Sequence, residues 1–154
     1  MKRYLLDTSS LMLLMKTANL KTQLNFLQTS YLLDLTFYEV GNALWKETCL
    51  TKFMTKNEAQ TLQKNIQIVL TKTDKICCET TDFQKISEIA ETENLSFYDS
   101  SYLFISQEKW LILVTEDKKL SSKSEKHIEV KNIATLSVQQ KLLDANDEEN
   151  KILY

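Results

Sequence analysis

The chain has 154 residues, 43% hydrophobic and 26% charged, which suits one globular domain with a sizeable core. With 19 basic and 21 acidic residues the net charge is −2, which excludes a strongly basic nucleic-acid binder; any contact with nucleic acid must rest on local lysines and a metal ion. A single histidine, His127, and three cysteines without C-x-x-C spacing leave little for a zinc site or a disulfide framework, so Cys49, Cys77 and Cys78 are expected to be reduced, buried thiols of a cytosolic protein.

The opening, "MKRYLLDTSSLMLLMK", has the look of a short signal peptide. Asp7 interrupts its apolar run and no small-residue cleavage site follows, so a strand over 3–6 and a helix over 9–15 are expected instead of export. Leu20, Leu24 and Leu27 fall at helical spacing and predict a helix over 20–28. A short strand over 31–33 leads to a helix over 36–48. Thr55 and Glu58 make a capping box for a longer helix running to about residue 70. A strand is expected over 76–78, then a helix from about 81 to Glu93 with Asn94 as a left-handed stop. The next helix covers 96–107. "WLILV", 110–114, is apolar throughout, as a central parallel strand should be. A short helix over 118–122 and a last strand over 127–130 complete the pattern. Strands alternating with helices predict an α/β domain with a mostly parallel sheet. No apolar run approaches the roughly 20 residues of a membrane helix.

Two phrases repeat: "LTFYEV", 35–40, and "LSFYDS", 95–100. Each spaces a hydroxyl and an acid as a capping box does, Thr36 with Glu39 and Ser96 with Asp99, so local physics accounts for both without catalysis. Two further acids give a second reading. Asp7 ends the first strand and Asp117 follows the strongest one. Chemistry in an open parallel sheet gathers beyond the carboxyl ends of its strands, and helices that follow strands begin at that edge. Asp7, Glu39 and Asp117 should therefore share one rim, and Asp99 joins them if its helix starts there. Clustered carboxylates repel unless they share a proton or a cation, and all-oxygen ligation suits Mg²⁺ or Mn²⁺. Such an ion activates water and neutralises developing charge, with phosphate esters as natural substrates.

With these residues assembled, the chain resembles the PIN-domain family of nucleases, and within it the VapC-type toxins of prokaryotic toxin–antitoxin pairs. The matching pieces, in order, are "LLDTSSL", "LTFYEVGNALWKE", "LSFYDSSYLFIS" and "LVTEDKKL", and the likeness extends from residue 2 to about 133. It implies a PIN-like three-layer α/β/α sandwich, with residues 1–135 as the domain and 136–154 as a C-terminal extension, helix and then acidic tail. It implies a cytoplasmic endoribonuclease that uses one or two Mg²⁺ or Mn²⁺ ions, an antitoxin partner and a homodimer. In the family pattern the acids matching Asp7, Glu39, Asp99 and Asp117 contact metal, and hydroxyls matching Ser9 and Thr115 help position water or metal; a helix cap and a strand end are the plainer roles for those two.

The alternatives are a non-catalytic PIN-like module that binds RNA or a protein, and a receiver-like signalling domain. Against the latter, Asp99 falls at a helix start instead of a central strand's end. Lys46, Lys118, Lys119 and Lys123 lie near the acidic motifs and are candidates for RNA phosphates, although solvated surface positions are the simpler expectation. Phe37, Tyr38, Trp45, Phe97, Tyr98 and Tyr102 have helical spacing that favours core packing over base stacking. Glu116, next to Asp117, is expected to face solvent. Gly41 inside a helix suggests a close backbone approach, within the fold or from a partner.

Overall fold

In the computed structural model, which describes residues 3–18 and 20–136, five short strands form one sheet. They are β1 (Tyr4–Leu6), β2 (Ser30–Leu33), β3 (Asp74–Ile76), β4 (Ile112–Val114) and β5 (Val130–Lys131). Their order is β3-β2-β1-β4-β5 and every neighbouring pair is parallel. The register aligns Leu5 with Tyr31 and Leu113, and Leu6 with Leu32 and Val114. Because side chains alternate along a strand, these two rows feed opposite faces.

Leu6, Leu32 and Val114 pack under α1 (Thr8–Thr17), α2 (Leu20–Gln28), α3 (Thr36–Trp45) and α4 (Lys56–Lys72). Leu5, Leu33 and Leu113 pack under α5 (Phe83–Glu93), α6 (Phe97–Lys109) and α7 (Lys118–Ser124). The result is the expected three-layer α/β/α sandwich. Both faces of the sheet are covered, which is why its central strands read as unbroken apolar runs. The chain leaves β1 for one side of the sheet and reaches β4 on the other, so the topological switch lies between these two strands.

Two local signals held. Thr55 and Glu58 form both halves of the capping box at α4, and Asn94 ends α5 at φ 54°. Boundaries moved where tertiary pairing decided them. β3 lies two residues before the expected strand, because pairing with Tyr31–Leu33 selects Asp74–Ile76. β5 lies later than "HIEV", paired to Leu113 and Val114. Trp110 is the left-handed cap of α6 and 93% exposed, not part of a strand.

The expected helix over 36–48 is α3 followed by a π-helical turn, Lys46–Leu50, closed by the Thr51 N–H on the Lys46 carbonyl at 2.9 Å. Among the described residues nothing lies within 4 Å of a Cβ added at Gly41, so none of them approaches closely enough to require this glycine. The cysteines depart from expectation: Cys49 and Cys77 are exposed and Cys78 is half-buried, all three as free thiols. Cys49 sits in the π turn and Cys77 just past an edge strand, while Cys78 packs partly against the core under α5–α7. The C-terminal extension from residue 137 lies outside the described residues.

Candidate active site

Asp7 occupies the turn between β1 and α1, directly at the switch point. Its Oδ1 accepts from the Ser10 N–H at 2.8 Å, capping α1, and its Oδ2 accepts from the Thr115 hydroxyl at 2.6 Å. Ser9 Oγ stands 2.9 and 2.8 Å from the two carboxylate oxygens. Ser9 also accepts the Glu116 N–H at 2.9 Å, and Thr115 accepts the Asp117 N–H at 3.0 Å. Ser9 and Thr115 thus tie the loops after β1 and β4 together through Asp7. Burial pushes the Asp7 carboxyl above the usual aspartate range, against the opposing pull of its hydrogen bonds from Thr115, Ser10 and Ser9.

Glu39 projects from the first turn of α3. Its Oε2 accepts from Thr8 at 2.7 Å and from the Tyr102 hydroxyl at 2.8 Å. Tyr102 is buried in α6 and also touches Thr36 Oγ1 at 2.8 Å. Burial first, and then the Glu39 charge, push its phenol far up, so it remains a proton donor to the carboxylate. This overturns the first expected capping box. The N-cap of α3 is Leu35, without a side-chain bond, and Thr36 and Glu39 both turn away from their own helix end toward Tyr102. A buried phenol from another helix offers a drier and stronger partner than the exposed helix end.

The second phrase does behave as a cap. Ser96 accepts the Asp99 N–H at 3.0 Å and its hydroxyl donates to Asp99 Oδ2 at 2.7 Å, although the carboxylate does not reach the Ser96 backbone. Asp117 caps α7, with Oδ1 accepting from the N–H groups of Lys119 and Leu120, both at 2.8 Å.

All four acids, Asp7, Glu39, Asp99 and Asp117, line one cavity of about 540 Å³ together with Ser9 and Tyr102. Three further charged groups line it that sequence reasoning did not assign: Lys16, Glu47 and Glu116. Helical spacing was the available signal, since Ser9, Met12, Leu13 and Lys16 form one stripe of α1, and Glu39, Ala43 and Glu47 recur every four residues. Glu116 does not simply face solvent. It is half-buried and its Oε1 accepts the Ile133 N–H at 2.8 Å, because the turn after β4 points its side chain back over the sheet edge. Lys46, Lys118 and Lys119 are exposed and lie outside the cavity lining.

Five of the six aromatics expected in the core are on the surface: Phe37, Tyr38, Trp45, Phe97 and Tyr98. All but Trp45 sit in the first turns of α3 and α6, which project past the strand ends where no facing layer covers them. Trp45 ends α3 at the exposed π turn.

The oxygen donors of the cavity, carboxylates and hydroxyls, fit a hard dication. In the present rotamers Asp7, Glu39, Asp99 and Asp117 are each turned to a cap or a hydroxyl, and among the described residues no group of three or more acidic, histidine or cysteine side chains converges closely enough to hold a metal. No helix among the described residues is long and apolar enough to cross a membrane.

Against known proteins, the chain is 32% identical over 130 residues to exonuclease VapC9 of Pyrobaculum aerophilum, covering 84% of this chain and 92% of that one. Among solved structures it resembles PAE2754 from Pyrobaculum aerophilum, with a TM-score of 0.75 and 28% identity over 90% of this chain and 88% of the other. It shares a fold with FitAcB from Neisseria gonorrhoeae at a TM-score of 0.55 and 15% identity, over 84% of this chain and 96% of that one. No family model matches it.

Proposed function

The chain belongs to the VapC family of PIN-domain nucleases, toxins of toxin–antitoxin pairs, and from that premise we propose that it is a Mg²⁺- or Mn²⁺-dependent endoribonuclease. The observation that carries this reading is the convergence of Asp7, Glu39, Asp99 and Asp117, from four separate segments, on one cavity at the topological switch point.

These four carboxylates are the groups that would hold one or two ions. When bound, such an ion supplies an activated water and neutralises the charge that develops on a phosphodiester under attack. The protein's own work is positioning. Thr115 and Ser9 fix the Asp7 carboxylate, and Thr8 and Tyr102 fix that of Glu39. These hydroxyls act as outer partners that orient acids. Burial of Asp7 disfavours its charge in the absence of a cation, and a cation reverses that preference.

The test is RNA cleavage with Mn²⁺ or Mg²⁺, repeated with EDTA and with Asp99→Asn. Ser96 caps α6 through the Asp99 backbone N–H, so the variant keeps its fold. Its cleavage rate should fall by about 100-fold or more, the scale of losing one preorganised charge-stabilising group. Cleavage at the wild-type rate in that variant would disprove the site. The relative's name specifies an exonuclease. A circular RNA decides between the modes, because only an endonuclease opens it.

An antitoxin partner, a homodimer, cytoplasmic location and a domain spanning 1–135 belong to the same reading. The exposed Phe37 and Tyr38 beside the groove between α3 and α4 support a protein partner there. Light scattering of the chain alone and with its antitoxin measures both assemblies.

A further inference from the structure

Among the described residues, six carboxylates line the cavity and Lys16 is the one cation. Lys16 stands in the last turn of α1. Its Nζ lies 2.6 and 2.8 Å from the two oxygens of Glu47, which the π-helical turn after α3 presents across the cavity mouth. π turns interrupt a helix at a cost in regularity and occur frequently at functional sites. Here the turn begins one residue before Glu47.

Both side chains are partly open to water, 35% for Lys16 and 27% for Glu47. An ion pair this exposed is weak, so the ammonium can leave its partner when a better anion arrives. Lys16 lies about 13 Å along α1 from Asp7, at 1.5 Å per residue. Helical side chains lean toward the helix N-terminus, which here is the acidic end. A lysine so placed reaches a phosphate neighbouring the one attacked, not the attacked phosphate itself.

We propose that Lys16 is a substrate-binding residue that takes a flanking phosphate of the nucleic-acid strand, and that Glu47 holds it poised in the empty site. This rests on the nuclease reading above. An anionic strand entering a cavity with six carboxylates needs cationic contacts, and the lysines nearest the acidic motifs in sequence lie outside that cavity. As a contact made equally before and during the reaction, it should govern KM and leave kcat unchanged.

The experiment measures binding of a fluorescein-labelled single-stranded RNA against salt concentration. It uses the Asp99→Asn background so that the RNA survives, and is repeated as KM and kcat with Mn²⁺ in the otherwise native chain. Removing one phosphate contact from a single strand lowers the slope of log affinity against log salt by about 0.7. Lys16→Gln should therefore bind about eightfold more weakly at 50 mM salt and match the parent near 1 M. Lys16→Arg should keep the parent slope. Glu47→Gln should bind more tightly, and that gain should vanish when combined with Lys16→Gln. If Glu47 acted only by repelling phosphate, its gain would persist without Lys16.

Cleavage by the native chain with an unchanged salt slope in Lys16→Gln overturns the assignment of Lys16 alone. Absence of both binding and cleavage in the native chain overturns the nuclease reading with it. A purely structural ion pair would lower melting temperature in both single variants and leave RNA affinity where it was.

Discussion

Tyr102→Phe deletes one oxygen at the most connected point of the site. The hydroxyl is 1% exposed with its ring, donates to Glu39 Oε2 at 2.8 Å and lies 2.8 Å from Thr36 Oγ1. Losing a hydrogen bond to a charged group costs about 1.5–3 kcal/mol, and leaving the buried Thr36 hydroxyl without this partner adds about 1 kcal/mol. Thr8 still holds Glu39, which limits the total to roughly 2–4 kcal/mol. For a domain of this size each kcal/mol lowers Tm by about 2–4 °C, so a loss of roughly 5–15 °C is expected. On the proposed metal-dependent function, Glu39 freed from Tyr102 should also raise the Mn²⁺ concentration for half-maximal cleavage by about 10–100-fold, the usual effect of removing an outer partner of a metal ligand. Thermal unfolding and a metal titration of the cleavage rate read the two effects. A double-mutant cycle with Glu39→Gln isolates the pair and should show coupling of at least about 1 kcal/mol. Zero coupling, or a Tm unchanged within about 1 °C, would refute the claim that Tyr102 anchors Glu39.

Leu113→Ala empties a fully buried position on β4 under α6 and should cost about 2–5 kcal/mol by denaturant unfolding, without creating a new site. Glu93, at the end of α5, is held below the usual glutamate range, chiefly by its 2.8 Å hydrogen bond with His127 and then by the charge of Lys126. A depressed carboxyl contributes stability that is present above its unfolded pKa and lost as pH falls through its folded value. The melting-temperature gap between the native chain and Glu93→Gln should therefore be widest near neutrality and close on acidification below the ordinary glutamate range. A gap that stays constant with pH would show that the His127 contact is not charge-dependent.

The sequence alone determined the order of strands and helices, the cap at Thr55, the left-handed stop at Asn94 and the arrival of Asp7, Glu39 and Asp117 at the carboxyl edge of a parallel sheet; Asp99, whose helix follows another helix, joined them only in the tertiary structure. Each of these depends on residues within a few positions of one another, or on the rule that a helix following a strand starts where the strand ends. Tertiary structure decided what lies between segments. Thr36 and Glu39 match Ser96 and Asp99 in spelling, yet one pair turns to the buried Tyr102 and the other caps its own helix, because only α3 starts beside a phenol from α6. Phe37, Tyr38, Phe97 and Tyr98 have core-like spacing and are exposed, with ring contacts only at the surface, Phe37 on Tyr38 and Phe97 on Phe83. Lys16 meets Glu47 across 31 residues, a contact set by the packing of α1 against α3 and by a π turn that no local propensity announces. Periodicity and capping are spelled at short range; whether a spelled cap or stripe is used depends on which faces meet, and that is fixed only when the whole sheet closes.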